Sequence, residues 1–137
     1  MSEVNKAVLQ RAIENFNDPQ NREAYFQLYD ANCILHGYQG VAPGLESIKQ
    51  FYYQFWAAFP DIHLTIEDLL AEGDEVACRF AFRATHQGTL MGIAATGKQV
   101  TVAGITILRF TNGKCVERWS QADFLGMLQQ LGAMPGS

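Results

Sequence analysis

Asp123 lies in the stretch "VERWSQADFLGMLQQLGAM", Val116 to Met134, where a strand-like pattern gives way to a helical one. Strand alternation puts Glu117, Trp119, Gln121 and Asp123 on one face, provided that no bulge intervenes. A carboxylate walled by an indole and phenyl rings loses hydration. Its pKa then rises toward neutral pH, where a general base removing a proton beside a carbonyl works best. Asp is equally suited to cap the helix that opens at Phe124, and a bond from a backbone N–H would lower the pKa and oppose basicity. His36 and His86 are the other titratable candidates. Each could donate to a carbonyl oxygen on which negative charge develops, or could be a half-buried histidine satisfied by a backbone partner. His63 alternates with Ile62 and Leu64 and so belongs to a polar face, without a role.

The elements that must position these groups follow from hydrophobic periodicity. Val4, Val8, Leu9, Ala12, Ile13 and Phe16 recur at helical spacing until Asn17-Asp18-Pro19 stops them. Asp18 and Pro19 are suited to begin a second, short helix carrying Tyr25, Leu28 and Tyr29. "CILHGY", Cys33 to Tyr38, is a brief strand. Leu45, Ile48, Tyr52, Phe55, Trp56 and Phe59 then form a wide aromatic helical stripe that Pro60 ends. Beyond it the period becomes two. Ile62, Leu64 and Ile66 alternate, and after the turn "AEGDE" so do Val76, Cys78, Phe80, Phe82 and Ala84, with His86 in the same inward parity. "QVTVAGITILRF" and "KCVERWSQAD" are paired through the hairpin signal Asn112-Gly113. Helices segregated from four long antiparallel strands predict an α+β fold over residues 1–137 as one domain. A curved antiparallel sheet wrapped around helices closes into a cone with a pocket at its open end.

The totals exclude other classes. Ten basic against fourteen acidic residues give a net charge of −4 with no Lys/Arg run, so neither nucleic acid nor an anionic membrane surface is an expected partner. No apolar leader or membrane-length run occurs, which makes a cytoplasmic protein the default. Cys33, Cys78 and Cys115 are widely spaced without a CxxC pair and read as reduced, buried residues. The three histidines lack ligand spacing, so no metal is expected. "GIAATGK" lacks the phosphate-loop pattern and reads instead as a rim, where Leu90, Met91 and Ile93 could close over an apolar ligand. Arg79, Arg83, Thr85 and Thr101 share the outer sheet face with Ile105 and Ile107, a surface apolar enough to predict a homodimer packed sheet to sheet.

Thr85-His86, Met91-Gly92, Thr96-Gly97-Lys98, Asn112-Gly113-Lys114, Glu117, Trp119, Asp123 and "QQLG" together resemble the SnoaL-like polyketide cyclases (ester cyclases) of the nuclear-transport-factor-like superfamily. The likeness covers almost the whole chain. It implies a cystatin-like α+β cone, a mostly apolar pocket, and an aldol-type ring closure in which the Asp of a W-x-x-x-D pattern, here Asp123, moves the proton. Better-known members place His and Gln on the neighbouring strand; here that strand reads "VAGITILRF", with neither. The expected machinery is therefore Asp123 with His36 or His86. Trp119, Gln121, Tyr38, Trp56, Phe80, Phe82, Leu90 and Met91 are expected to hold an apolar or polycyclic carbonyl ligand, without cofactor or metal. Isomerisation, dehydration, hydroxylation or epoxide opening in the same pocket, and binding without chemistry, remain alternatives.

Overall fold

The computed structural model describes residues 2–38 and 40–133. Helix α1 (Ser2–Phe16) leads into a 3-10 helix (Arg22–Leu28) and strand β1 (Tyr29–His36). Helix α2 (Leu45–Ala58) follows, then β2 (His63–Glu72), β3 (Glu75–Thr85), β4 (Gln99–Thr111), β5 (Lys114–Ala122) and helix α3 (Phe124–Leu131). The five strands form one sheet in the order β1-β5-β4-β3-β2. All neighbours are antiparallel except β1, which runs parallel to β5 at the edge. This is the α+β cone of the nuclear-transport-factor-like fold. Among the described residues no helix is long and apolar enough to cross a membrane.

Bulges in β2 and β5 curl the sheet. Ile66 pairs with Phe80 but Asp68 with Arg79, so Glu67 is an extra residue in β2. Arg109 pairs with Glu117 but Phe110 with Cys115, so Val116 is extra in β5. An unpaired residue increases local twist and bends its strand, which turns a flat ladder into a wall around the helices. Side chains of Val76, Cys78, Phe80, Phe82 and Ala84 from β3 and of Val100, Val102 and Leu108 from β4 fill the concave side. Gly104 faces Phe80 across the ladder. A Cβ at Gly104 would lie 2.5 Å from Cζ of Phe80, so glycine makes room for the ring.

The aromatic stripe of α2 packs into this concavity. Tyr52 and Trp56 meet Phe16 of α1 and Tyr25 of the 3-10 helix, mostly edge to face, the geometry that the ring quadrupole favours. Two elements differ from expectation. The segment after Pro19 is a 3-10 helix because the Asp18 carboxylate accepts from Gln20 N–H (3.0 Å) and Asn21 Nδ2 (2.8 Å), tightening the turn before the helix starts. Strand β1 spans Tyr29–His36 rather than Cys33–Tyr38, because its ladder is set by β5 and Gly37 ends it. Gly37 has φ +86, and a Cβ there would sit 2.1 Å from the Ser120 carbonyl oxygen. Only glycine lets the chain cross β5 so closely and swing Tyr38 inward.

Candidate active site

An inner chamber of about 60 Å³ lies between the helices and the concave face of the sheet. Ile13, Phe16, Phe51, Phe55, Ile62, Leu64, Phe80 and Phe82 make its walls, and Tyr25, Tyr52, Tyr38, Arg118 and Ser120 supply the polar groups. It shares Gly37, Tyr38, Phe51, Phe55 and Phe124 with a wider mouth of about 460 Å³, where Leu90, Met91 and Met127 complete the lining. A chamber of that size has room for roughly four waters at 15 Å³ each. A ring system therefore fits the mouth, and only a small appendage reaches the chamber.

Among the described residues Arg118 is the one charged residue lining the chamber, and it is only 5% exposed. Its Nε donates to Thr106 Oγ1 (2.9 Å), and its Nη1 donates to Tyr29 OH (2.7 Å), Tyr25 OH (3.1 Å) and, more weakly, Tyr52 OH (3.4 Å). Thr106 Oγ1 donates to the Trp119 carbonyl (2.9 Å). It therefore accepts from Ser120 Oγ (2.8 Å), which in turn accepts from Tyr38 OH (2.9 Å). The guanidinium carbon also lies 5.8 Å from the centre of the Tyr38 ring. A buried guanidinium ordinarily has a carboxylate partner, because an isolated buried charge is costly. Here every direct partner is neutral oxygen.

Burial works against the Arg118 charge, but the oxygens of Tyr29, Tyr38, Tyr52 and Tyr25 more than offset it, and the pKa stays above the ordinary arginine range. Burial also raises the four phenols, with Tyr29 well above the usual tyrosine value; the pull of Arg118 offsets this only in part. At neutral pH the chamber thus presents one cation ringed by protonated phenols. Such a site is electrostatically suited to negative charge, and among the described residues no carboxylate or imidazole belongs to its lining to take up a proton. Among the described residues no three His, Cys, Asp or Glu side chains converge as metal ligands do.

The bulge at Val116 redistributes the residues expected from alternation. Cys115 is buried, and an uninterrupted strand would carry Glu117, Trp119, Gln121 and Asp123 inward with it; the extra residue turns Arg118, Ser120 and Ala122 inward instead. Asp123 is exposed and caps α3, its Oδ1 accepting from Gly126 N–H (2.8 Å). With Gln121 it borders a shallow groove outside the sheet. Trp119 is on the outside too, stacked on His36 with ring centres 5.3 Å apart and lying under the Arg109 guanidinium. His36 Nε2 is 2.7 Å from Glu117 Oε2, whose other oxygen accepts from Arg109 (2.9 Å).

His86 does follow the inward parity of β3 and is fully buried, but it packs under the rim and not on the chamber wall. Its Nδ1 accepts from Thr96 N–H (3.3 Å) and its ring meets Phe59, so it ties the rim loop to the barrel. Trp56 is packed among Phe16, Tyr25 and Tyr52, behind the chamber lining. Tyr38, Phe80 and Phe82 line the chamber, while Leu90 and Met91 line the mouth. Arg118, Ser120, Tyr25, Tyr52 and the supporting Tyr29 and Thr106 were not expected. One signal was available: Tyr25, Tyr29 and Tyr52 fall on the apolar sides of their segments, and β5, next to the edge strand β1, carries an arginine.

A family model for SnoaL-like polyketide cyclases matches residues 7–131. The aklanonic acid methyl ester cyclase DnrD of Streptomyces peucetius is 30% identical over 101 residues, 74% of this chain and 66% of that protein. DauD of Streptomyces sp. (strain C5), of the same description, is 28% identical over 74% of this chain and 59% of its own length. The chain thus spans somewhat under two thirds of these curated relatives. Among solved structures, AclR from Streptomyces galilaeus, described as a candidate hydroxylase, superposes with a TM-score of 0.85 at 27% identity, over 98% of this chain and 100% of that one. IdmH from Streptomyces antibioticus, described as a candidate polyketide cyclase, gives 0.79 at 28% identity, over 93% and 98%. With the cone, the apolar pocket and a match across most of its length, the chain belongs to the SnoaL-like polyketide cyclase family.

Proposed function

We propose that this protein closes a ring on an apolar, polycyclic carbonyl compound by aldol-type chemistry, with the ring system seated in the mouth and a small carbonyl-bearing arm in the chamber. The observation that carries the reading is the buried Arg118, whose neutral partners leave its positive charge for a ligand oxygen at the end of an apolar passage. Donors fixed where charge develops are among the strongest contributions to such reactions, since they need no reorganisation during the step. An aldol closure is redox-neutral, and the reading uses no cofactor. Asp123 enters it as the cap of α3 and not as the acid/base, because its carboxylate lies outside the cone.

The test is turnover of aklanonic acid methyl ester and simpler polycyclic keto esters, followed by chromatography for a product isomer of unchanged mass. Wild type is expected to form the cyclised isomer. Arg118→Met is expected to lose on the order of 10²–10³ in rate, the usual loss for one oxyanion donor. Asp123→Ala is expected to keep its rate within about threefold, since loss of a cap acts on stability. Loss of turnover on changing Asp123 but not Arg118 would reverse the assignment. Saturable binding without product would favour the non-catalytic reading, for which a tied-down Asp123 is the specific observation.

A further inference from the structure

Counting hydroxyl protons around Arg118 shows which donors are free. Tyr25 OH donates to Tyr52 OH (3.1 Å), so in the 2.6 Å contact between Tyr25 and Tyr29 the donor must be Tyr29. The Tyr52 proton is then left with loose contacts, 3.5 Å to Tyr29, an oxygen that already accepts from Arg118, and one to the neighbouring Tyr38 hydroxyl. Arg118 is in a similar position. Nε is taken by Thr106 and Nη1 by the phenols, whereas Nη2 has no hydrogen-bond partner among the described residues. A free donor, Arg118 Nη2–H, and a loosely held one, Tyr52 O–H, thus belong to buried residues that line the same chamber. The titratable groups facing Arg118 are the phenols of Tyr25, Tyr29, Tyr38 and Tyr52 and the more distant thiols of Cys33, Cys78 and Cys115; none is a carboxylate.

We propose that Arg118 Nη2 and Tyr52 O–H form an oxyanion site that takes a 1,3-dicarbonyl arm of the substrate as its enolate, so that the negative charge missing from the protein arrives with the ligand. This rests on the ring-closure reading and specifies its substrate class. A carboxylate is a poorer fit, because bidentate pairing uses two guanidinium nitrogens and only one is free. A single enolate oxygen between two donors fits. The C–H between the two carbonyls of a 1,3-dicarbonyl is acidic enough to lose its proton to water or hydroxide without a base in the chamber. In the step that follows, the enolate carbon attacks a further carbonyl of the same molecule, outside the 1,3-dicarbonyl unit. A C–C bond forms, the C=O π bond becomes an alkoxide, and that oxygen takes a proton from solvent. The proton released on ionisation is thereby replaced, and nothing is oxidised or reduced.

The experiment is an absorbance titration of 2-acetyl-1-tetralone, a bicyclic 1,3-diketone whose enolate absorbs at longer wavelength than its neutral form, free and bound to the full chain. Bound to wild type, its pKa is expected to fall by about one unit or more, equivalent to about tenfold tighter binding of the enolate. Arg118→Met is expected to abolish the shift. Tyr52→Phe removes only the hydroxyl and is expected to reduce the shift severalfold, which keeps the test decisive if the arginine variant does not fold. Each variant that still unfolds cooperatively on heating separates loss of the site from loss of the fold. A pKa unchanged or raised on wild type, absence of binding, or a shift that survives both variants would overturn the oxyanion site. Ring closure with aklanonic acid methyl ester would be unaffected by that result, so failure here and failure of the cyclase reading are separable.

Discussion

At the scale of single residues, Arg118 and Asp123 show how position decides the role of a charged group. The arginine is buried among protonated phenols, so its charge has no resident counter-ion. The aspartate is exposed and already bonded to the backbone. Gly126 belongs to the same arrangement, since a Cβ there would lie 2.3 Å from the carboxylate. Removing the cap in Asp123→Ala is expected to cost about 1 kcal/mol of stability, read as a lower midpoint in urea. Asp123→Asn should recover most of it, because Asn caps nearly as well. A carboxylate acting as general base would behave oppositely: activity would collapse in Asn and Ala alike, with stability barely moved.

At the scale of elements, the β5 bulge separates what was legible in the sequence from what was not. The inward parity of β3, the aromatic stripe of α2, the Asn112-Gly113 hairpin and α3 could be read because each repeats over several residues at a fixed period. One extra residue in β5 was invisible to the same reasoning, since periodicity cannot locate a bulge between two half-polar faces. Everything downstream changed sides: Trp119 and Gln121 went out, Arg118 and Ser120 came in. The tyrosine cluster was missed for a related reason, because it draws on the 3-10 helix, β1 and α2, which only the tertiary fold brings together. Deleting Val116 tests the bulge directly. The shorter strand would keep its ladder only by turning Arg118 outward and Trp119 inward, or would shift its register against β1. Either should destabilise the fold by more than the ~4–5 kcal/mol of the severest point mutations, and the cooperative thermal transition is expected to disappear.

At the scale of the whole molecule, the convex side of the sheet remains to be accounted for. Ile105 and Ile107 are 56% and 40% exposed on β4, and His36, Trp119, Arg109 and Glu117 form a stacked, ion-paired cluster beside them. We propose that a second copy covers this face. The surface combines apolar residues with both signs of charge, so two copies related by a twofold axis can set Arg or His of one against Glu of the other. An aromatic and arginine-rich centre is also the composition typical of buried interface cores. Sedimentation is expected to give about twice the mass of one chain. Ile105→Glu with Ile107→Lys should yield a folded monomer: the side chains are outside the cone, so the unfolding midpoint should fall by no more than the loss of the partner explains. Each chain builds its chamber from its own α1, α2, β3 and β5, so the monomer should still bind 2-acetylnaphthalene with affinity within about threefold. A monomeric wild type would leave the convex face to some other partner, and a large loss of ligand binding in the monomer would mean that the second copy shapes the pocket.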